Sequence, residues 1–279
     1  MSATTIGLLH PGEMGGAVGA AARAGGARVL WVSQGRGSAT RRRAEAAGLE
    51  DAGTLDRLAR EASIILSICP PASAVDVARE VAALRFGGTY VDGNAVSPET
   101  TRAVGDVVAG GGGRFVDGGI IGPPPLKPGV TRLYLSGGGA DAVAALFRGT
   151  LLEAIVLDGP VGAASAIKMA YAGWNKGSQA LLMAIRALAI REGVDEALMA
   201  EWARSQPDLP RRSEAAAGST AAKAWRFVGE MEEISATLAA AGLPAGFHEA
   251  AAEVYRRLAP WKDAPKPPTV EDVAKALAR

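Results

Sequence analysis

The chain has 279 residues, more than a single core usually holds, with 48% apolar and 21% charged side chains. Thirty basic groups stand against 29 acidic ones, and a net charge of +1 gives no electrostatic footprint of a nucleic-acid binder. One cysteine, Cys69, excludes an internal disulfide, and with only His10 and His248 beside it no metal site is expected. No basic leader precedes the first apolar run, and the apolar stretch Ala180–Ile190 is interrupted by Arg186 and too short to span a bilayer. The expectation is a reduced, cytoplasmic protein that binds neither membrane nor nucleic acid.

The first half alternates short apolar runs with Ala-rich helical stretches. Strands are predicted at Ile6–Leu9, Val29–Ser33, Ile64–Ile68, Thr89–Asp92, Arg114–Val116, Leu133–Ser136 and Ala154–Leu157. Helices are predicted between them at Met14–Ala24, Ala39–Ala47, Thr54–Glu61, Ala72–Leu84, Pro98–Ala109 and Ala140–Phe147. This alternation reads as an α/β domain built on a doubly wound parallel sheet. Gly159-Pro160 then punctuates the chain, and strand signals stop. Ser165 to Glu192 reads as one helix of about 28 residues and about 42 Å. Helices follow near Glu196–Arg204, Thr220–Ala241, Ala245–Leu258 and Val270–Ala278, with Pro207 and Pro210 breaking the pattern between the first two. The expected domains are therefore 1–160 and an all-helical 161–279, joined by the long helix. So long a helix in so small a domain calls for a second surface to cover it, which points to a homodimer.

The first predicted strand runs into His10-Pro11-Gly12-Glu13-Met14-Gly15 and then into a helix. Gly12 lets backbone approach a pyrophosphate, Gly15 lets helix and strand pack closely, and the helix start offers free N–H groups to phosphate. His10 occupies the position of the first glycine of G-x-G-x-x-G. The plain alternative is a tight turn in a Gly-rich domain.

An NAD-type site needs an acid about 20 residues further on, for the ribose hydroxyl. Between Glu13 and Glu45 there is none. The second strand leads instead into Ser33-Gln34-Gly35-Arg36, with Arg41, Arg42 and Arg43 behind it. A hydroxyl and guanidinium groups suit the additional 2′-phosphate of NADP. Consecutive arginines must point in different directions, so Ser33 and Arg36 are the candidates here.

Five segments, in order along most of the chain, resemble motifs of one family. Gly7 to Gly15 is similar to G-F-I-G-L-G-x-M-G, and Ile64 to Pro70 to an apolar strand ending at proline. Val91 to Pro98 resembles D-x-S-T-x-x-P, Phe115 to Pro123 resembles D-A-P-V-S-G-G, and Gly162 to Lys168 resembles G-x-G-x-x-x-K. Together they resemble the β-hydroxyacid dehydrogenase family, which includes 3-hydroxyisobutyrate and 6-phosphogluconate dehydrogenases. The resemblance implies a Rossmann-type N-terminal domain, a long interdomain helix, an all-helical C-terminal domain and a dimer. It implies that Lys168 is the catalytic lysine. It places Cys69, Pro70 and Asn94 near the cofactor, and Ile121 and Gly122 in a substrate loop.

The departures are specific. Ile121 replaces the loop serine, Tyr171 and Ala172 stand where Asn or His-Asn is frequent, and Asn175 stands where 6-phosphogluconate dehydrogenases carry an acid. Glu232-Glu233 replaces a C-terminal Lys-Asp pair. The sequence resembles a branch with its own C-terminal domain.

Hydride transfer to a carbonyl leaves an alkoxide that a positioned acid must protonate. A lysine performs this when burial or nearby cations lower its pKa. Lys168, Ala172, Asn175, Lys176 and Gln179 share a helix face, with Tyr171 at its edge. Asn175 is a candidate partner for a substrate hydroxyl, and Lys176 either attracts a substrate carboxylate or lowers the pKa of Lys168; the plain alternative is that these polar groups face water on an amphipathic helix. His248 is a substrate-side or a core histidine. The leading reading is NADP-dependent oxidation or reduction of a β-hydroxy or β-keto acid, or a semialdehyde. An imine reductase on the same fold and a non-catalytic NADP sensor stay open.

Overall fold

The computed structural model describes residues 3–262 and 264–278, and the chain divides into two units, Met1–Met169 and Ala170–Arg279. The division falls inside the long helix rather than at the Gly159-Pro160 punctuation.

The first unit contains β1 (Thr5–Leu9), α1 (Glu13–Ala24), β2 (Arg28–Trp31), α2 (Ser38–Ala46), β3 (Glu50–Asp51), α3 (Leu55–Glu61), β4 (Ile64–Ser67) and α4 (Ala74–Ala83). It continues with β5 (Thr89–Asp92), α5 (Pro98–Gly110), β6 (Arg114–Ile121), β7 (Thr131–Ser136), α6 (Ala140–Ala145) and β8 (Leu152–Val156). One sheet takes the order β3-β2-β1-β4-β5-β6-β7-β8. Neighbouring residues on a strand feed opposite faces. Leu8, Trp31, Leu66 and Val91 join one apolar cluster, while Leu9, Leu30, Ile65 and Tyr90 join the other. Continuous apolar strands buried on both faces are what a helix-covered parallel sheet requires.

Two expectations change. The sheet is not wholly parallel: β7 runs antiparallel to β6, and β8 then pairs parallel to β7. The short link from Gly122 to Val130 contains no crossover helix, so the chain doubles back. β6 also runs to Ile121, well beyond the predicted Val116, because Gly118 and Gly119 continue the strand instead of ending it.

α7 (Ala163–Arg191) carries the chain from the first unit into the second, which adds α8 (Asp195–Ser205), α9 (Leu209–Thr220), α10 (Ala224–Ala240), α11 (Gly246–Leu258) and α12 (Val270–Leu277). α9 lies where prolines predicted a break. Pro210 falls in its first turn, where a missing N–H costs nothing. Met183, Met231, Ile234, Tyr255 and Leu258 are buried in this unit. Arg186, which interrupts the apolar pattern of α7, is buried as well; it donates to Asp195 at 2.6 and 2.9 Å and to the Ser213 hydroxyl at 2.7 Å. No described helix is long and apolar enough to cross a membrane. The described residues contain no cluster of three His, Cys, Asp or Glu able to hold a metal ion.

Candidate functional site

The strand order reverses at β1 and β4, and in open α/β sheets ligands bind outside the strand ends at such a switch point. The glycine turn leaves β1 there. His10 adopts φ +64°, the left-handed region that glycine enters without strain, which accounts for glycine in the usual motif. The His10 carbonyl accepts from Gly12 N–H at 2.7 Å and folds the turn back. A Cβ at residue 15 would sit 2.5 Å from that carbonyl oxygen, so Gly15 is sterically required. Gly12 caps α1 with backbone alone and supplies no side-chain acceptor to its first-turn N–H groups. Glu13 and Met14 form that first turn. Pro11 contributes its carbonyl, which accepts from Arg43 Nε at 3.3 Å and ties α2 to the turn.

The β2–α2 loop lies beside this turn. Ser33 is buried, its carbonyl accepts from Arg41 Nη2 at 3.0 Å, and Arg36 N–H donates to the same carbonyl at 3.1 Å. Arg41 and Arg43 are thus spent on backbone carbonyls, a division of labour that the Arg41-Arg42-Arg43 run did not disclose. The His10 imidazole is held down to a pKa of about 4, first by burial and then by the Arg36 charge. Its Nδ1 is buried and has no hydrogen-bond partner among the described residues. A turn that demands glycine, an α1 start without a side-chain cap, a nearby guanidinium and an orphaned imidazole nitrogen together fit a phosphorylated nucleotide.

β4 ends at the other side of the switch point. Cys69 N–H donates to Asn94 Oδ1 at 2.5 Å, while Asn94 N–H donates to Asp92 Oδ1 at 2.8 Å. Asn94 is buried and clamps the β4 and β5 loops together, with Pro70 continuing into the following turn. Burial pushes the Cys69 thiol up to about 11, which leaves it protonated and unreactive at neutral pH.

β6 meets the start of α7 at Gly119. A Cβ there would collide with the Ala164 carbonyl and lie 3.1 Å from Lys168 Cβ. Ile121 is buried at the end of β6 and is a strand residue, not an open loop residue. Gly122 follows at φ +116°, packed against the Val130 carbonyl.

Tyr171, Asn175, Lys176 and His248 belong to the second unit. Tyr171 is exposed, and Asn175 Nδ2 donates to the Tyr171 carbonyl at 3.0 Å within the helix. Lys176 departs from its expected role: it forms an ion pair with Glu230, and its ammonium lies 4.3 Å from the centre of the Phe227 ring. Tyr255 closes this cluster by donating its hydroxyl to the Lys176 carbonyl at 2.6 Å. The ammonium expected to anchor a substrate carboxylate is therefore engaged within its own unit, by Glu230. His248 sits in the first turn of α11 and fills a notch left by Gly173 and Gly177, one turn apart on α7. Its Nε2 lies 3.2 Å from the Gly173 carbonyl. The G-x-x-x-G spacing was the signal for this notch.

Residues 189–258 match a family model described as a domain of unknown function, DUF1932. No curated protein matches the chain. Among solved structures, a 3-hydroxyisobutyrate dehydrogenase from Mycobacterium tuberculosis, with L-serine, superposes with a TM-score of 0.74 over 100% of both chains at 18% identity. MTH1747, a protein of unknown function with structural similarity to 3-hydroxyacid dehydrogenases, superposes at 0.70 with 27% identity, over 92% of this chain and 97% of its own. This chain has the fold of the 3-hydroxyacid dehydrogenases, with a divergent C-terminal domain. A reductive aminase from Aspergillus terreus, with NADPH, is also similar, at a TM-score of 0.57 and 17% identity over 99% of both chains. The 3-hydroxyacid dehydrogenase fold and the resemblance carried by the five motifs thus coincide, and the DUF1932 match lies in the C-terminal domain, where it covers Glu232-Glu233 among the departures.

Proposed function

We propose that this chain is an NADP-dependent oxidoreductase that moves a hydride between the cofactor and a β-hydroxy or β-keto acid, or a semialdehyde. The observation that carries the reading is the pairing of two features on one sheet. A glycine-dependent turn opens the β1–β4 switch point, and the helix turn bearing Lys168 is keyed into β6 at Gly119.

When bound, the nicotinamide supplies or accepts the hydride. The chain's own residues do the rest. The first-turn N–H groups of α1, from Glu13 and Met14 onward, hold the pyrophosphate with Gly12 and Gly15 giving close approach. Ser33 and Arg36 bind the 2′-phosphate, with His10 neutral beside them. Cys69, Pro70 and Asn94 shape the wall at the β4 and β5 ends. The Lys168 ammonium gives its proton to the developing alkoxide, and its amine takes the hydroxyl proton in the oxidative direction. Gly122 is the remaining substrate-side candidate of the first unit, where Ile121 removes the hydroxyl that a loop serine would offer a carboxylate; Tyr171, Asn175 and His248 are the candidates of the second unit taken by itself.

The protein acts as a homodimer through its helical unit. Trp174, Leu181 and Leu188 of α7 and Phe247 of α11 are exposed large apolar side chains, more than single scattered residues on one small unit. Light scattering of purified protein reads this directly: a dimer that Leu181→Asp converts to monomer supports it, and a wild-type monomer contradicts it.

The functional reading is tested by following NADP⁺ reduction with 3-hydroxyisobutyrate, L-serine and other 3-hydroxy acids, and NADPH oxidation with semialdehydes and cyclic imines. Turnover of a 3-hydroxy acid supports the proposal. Turnover of imines alone moves the chain to the reductive-aminase reading. NADPH binding with no turnover of any class leaves a sensor.

A further inference from the structure

Asp117 reads in the sequence as a plain strand end. In the structure it is fully buried on β6 and surrounded by donors from two other segments, β7 and the start of α7. Its Oδ2 accepts from the backbone N–H groups of Gly162 at 2.9 Å, Ala164 at 3.0 Å and Ser165 at 3.1 Å. The Ser136 hydroxyl of β7 donates to the same oxygen at 2.9 Å, and the Ser165 hydroxyl donates to Oδ1 at 2.7 Å. Ser165 Oγ in turn lies 2.6 Å from Thr101 Oγ1 of α5, and Ser136 Oγ accepts from Ala164 N–H at 3.1 Å. Thr101, Ser136 and Ser165 are all buried.

A helix start leaves its first N–H groups without intrahelical partners. Here one carboxylate from a neighbouring strand takes three of them, and its charge lies at the positive end of the helix dipole. The result fixes the rotation and the height of the first α7 turn against the sheet. Lys168 follows Ser165 by three residues, about 4.5 Å along the axis at 1.5 Å per residue. Its Cα position is therefore set by two contacts with β6, the Asp117 cap and the close approach at Gly119 two residues further along the strand. A capping bond alone needs only one acceptor from the helix's own N-cap side chain. A buried network drawn from α5, β6, β7 and α7 is a larger structure than stability of that helix end demands.

We infer that Asp117 is a positioning residue for Lys168: the carboxylate locks the first turn of α7 in the register that aims the ammonium toward the nicotinamide side of the cofactor. The inference rests on the functional reading above, because it presupposes that Lys168 faces the cofactor. It assigns Asp117 no contact with substrate. It also explains the second of the two glycines that follow it: Gly119 clears the space through which α7 is drawn onto the strand, while Gly118 leaves room for β5, since a Cβ there would lie 2.8 Å from the Asp92 carbonyl.

The test uses the full chain with its seven lysines dimethylated with ¹³C at Nζ, the Lys168 resonance being assigned by Lys168→Arg. NADP⁺ is added and both its Kd and the Lys168 resonance are followed. In the wild type the Lys168 resonance moves on saturation. In Asp117→Ala the Kd is retained and the Lys168 response is lost. In Asp117→Asn the amide oxygen still accepts from the three N–H groups, and the response is rescued. Ser165→Ala removes one hydroxyl from the network and gives a reduced response; it serves where Asp117→Ala does not fold. A full wild-type response in Asp117→Ala, or in Ser165→Ala if the former is unfolded, overturns the positioning role alone. A wild-type Lys168 resonance that ignores bound NADP⁺ overturns the functional reading, and the positioning role with it.

Discussion

Gly119 and Lys168 meet where β6 passes under the first turns of α7. A methyl group at residue 119 would stand 3.1 Å from Lys168 Cβ and against the Ala164 carbonyl. Neither backbone can retreat cheaply, because α7 is capped by Asp117 two residues upstream on the same strand. Gly119→Ala is therefore expected to push the α7 start off the sheet, costing about 1–3 kcal/mol as overpacking does. Urea unfolding reads the stability loss. Turnover should fall in the same variant while NADPH titration gives a nearly unchanged Kd, because the glycine turn at β1 is untouched.

Arg36→Ala is expected to weaken NADPH and leave NADH almost unaffected. A charge-assisted hydrogen bond to phosphate is worth about 1.5–3 kcal/mol, so the Kd for NADPH should rise about 10-fold or more. Fluorescence titration with both cofactors decides it. Equal losses for the two would remove the 2′-phosphate assignment.

His10 makes a pH prediction of definite sign. Its pKa is about 4 in the folded chain, against 6.5 for an ordinary histidine, with burial the larger cause and Arg36 the smaller. Between these values the unfolded chain holds the proton and the folded chain does not. Stability must therefore fall as pH drops from 6.5 toward 4 and level off below. His10→Gly removes that contribution and also relieves the positive φ. The difference in unfolding free energy between variant and wild type should grow across this window in favour of glycine, and stay flat above it.

How much of this was legible in the sequence depends on the range over which each signal acts. The glycine turn, the alternating apolar strands and the helical second half are local patterns, and all three are present. The far part of β6 was hidden because Gly118 and Gly119 carry breaker chemistry, and only the approach of β5 at Gly118 and of α7 at Gly119 explains why glycines remain in a strand. Asp117 heads the segment that resembles D-A-P-V-S-G-G, but its capping role was not legible: its donors come from Ser136, Gly162 and Ser165, far along the chain. Lys176 misled for the same reason, since its partner Glu230 lies on a different helix. Arg41 and Arg43 stood in a basic run behind the phosphate candidates Ser33 and Arg36, and it took the positions of the Ser33 and Pro11 carbonyls to show what they bind.

Cys69 should be slow toward thiol reagents. Its pKa is raised to about 11 chiefly by burial, and the thiolate is the reacting form. Reaction with a chromogenic disulfide at pH 8 should run well behind that of a free cysteine and slow further when NADPH covers the β4 end. Rapid reaction, unaffected by cofactor, would place this strand end away from the nucleotide.

Lys168 is the proton donor and acceptor on which the proposed reaction turns. With a 3-hydroxy acid that the wild type turns over, Lys168→Ala should lower kcat by about 10²–10⁴, the usual contribution of a positioned acid or base, while NADPH binds as before. A Lys168→Ala variant that turns over at the wild-type rate would contradict it.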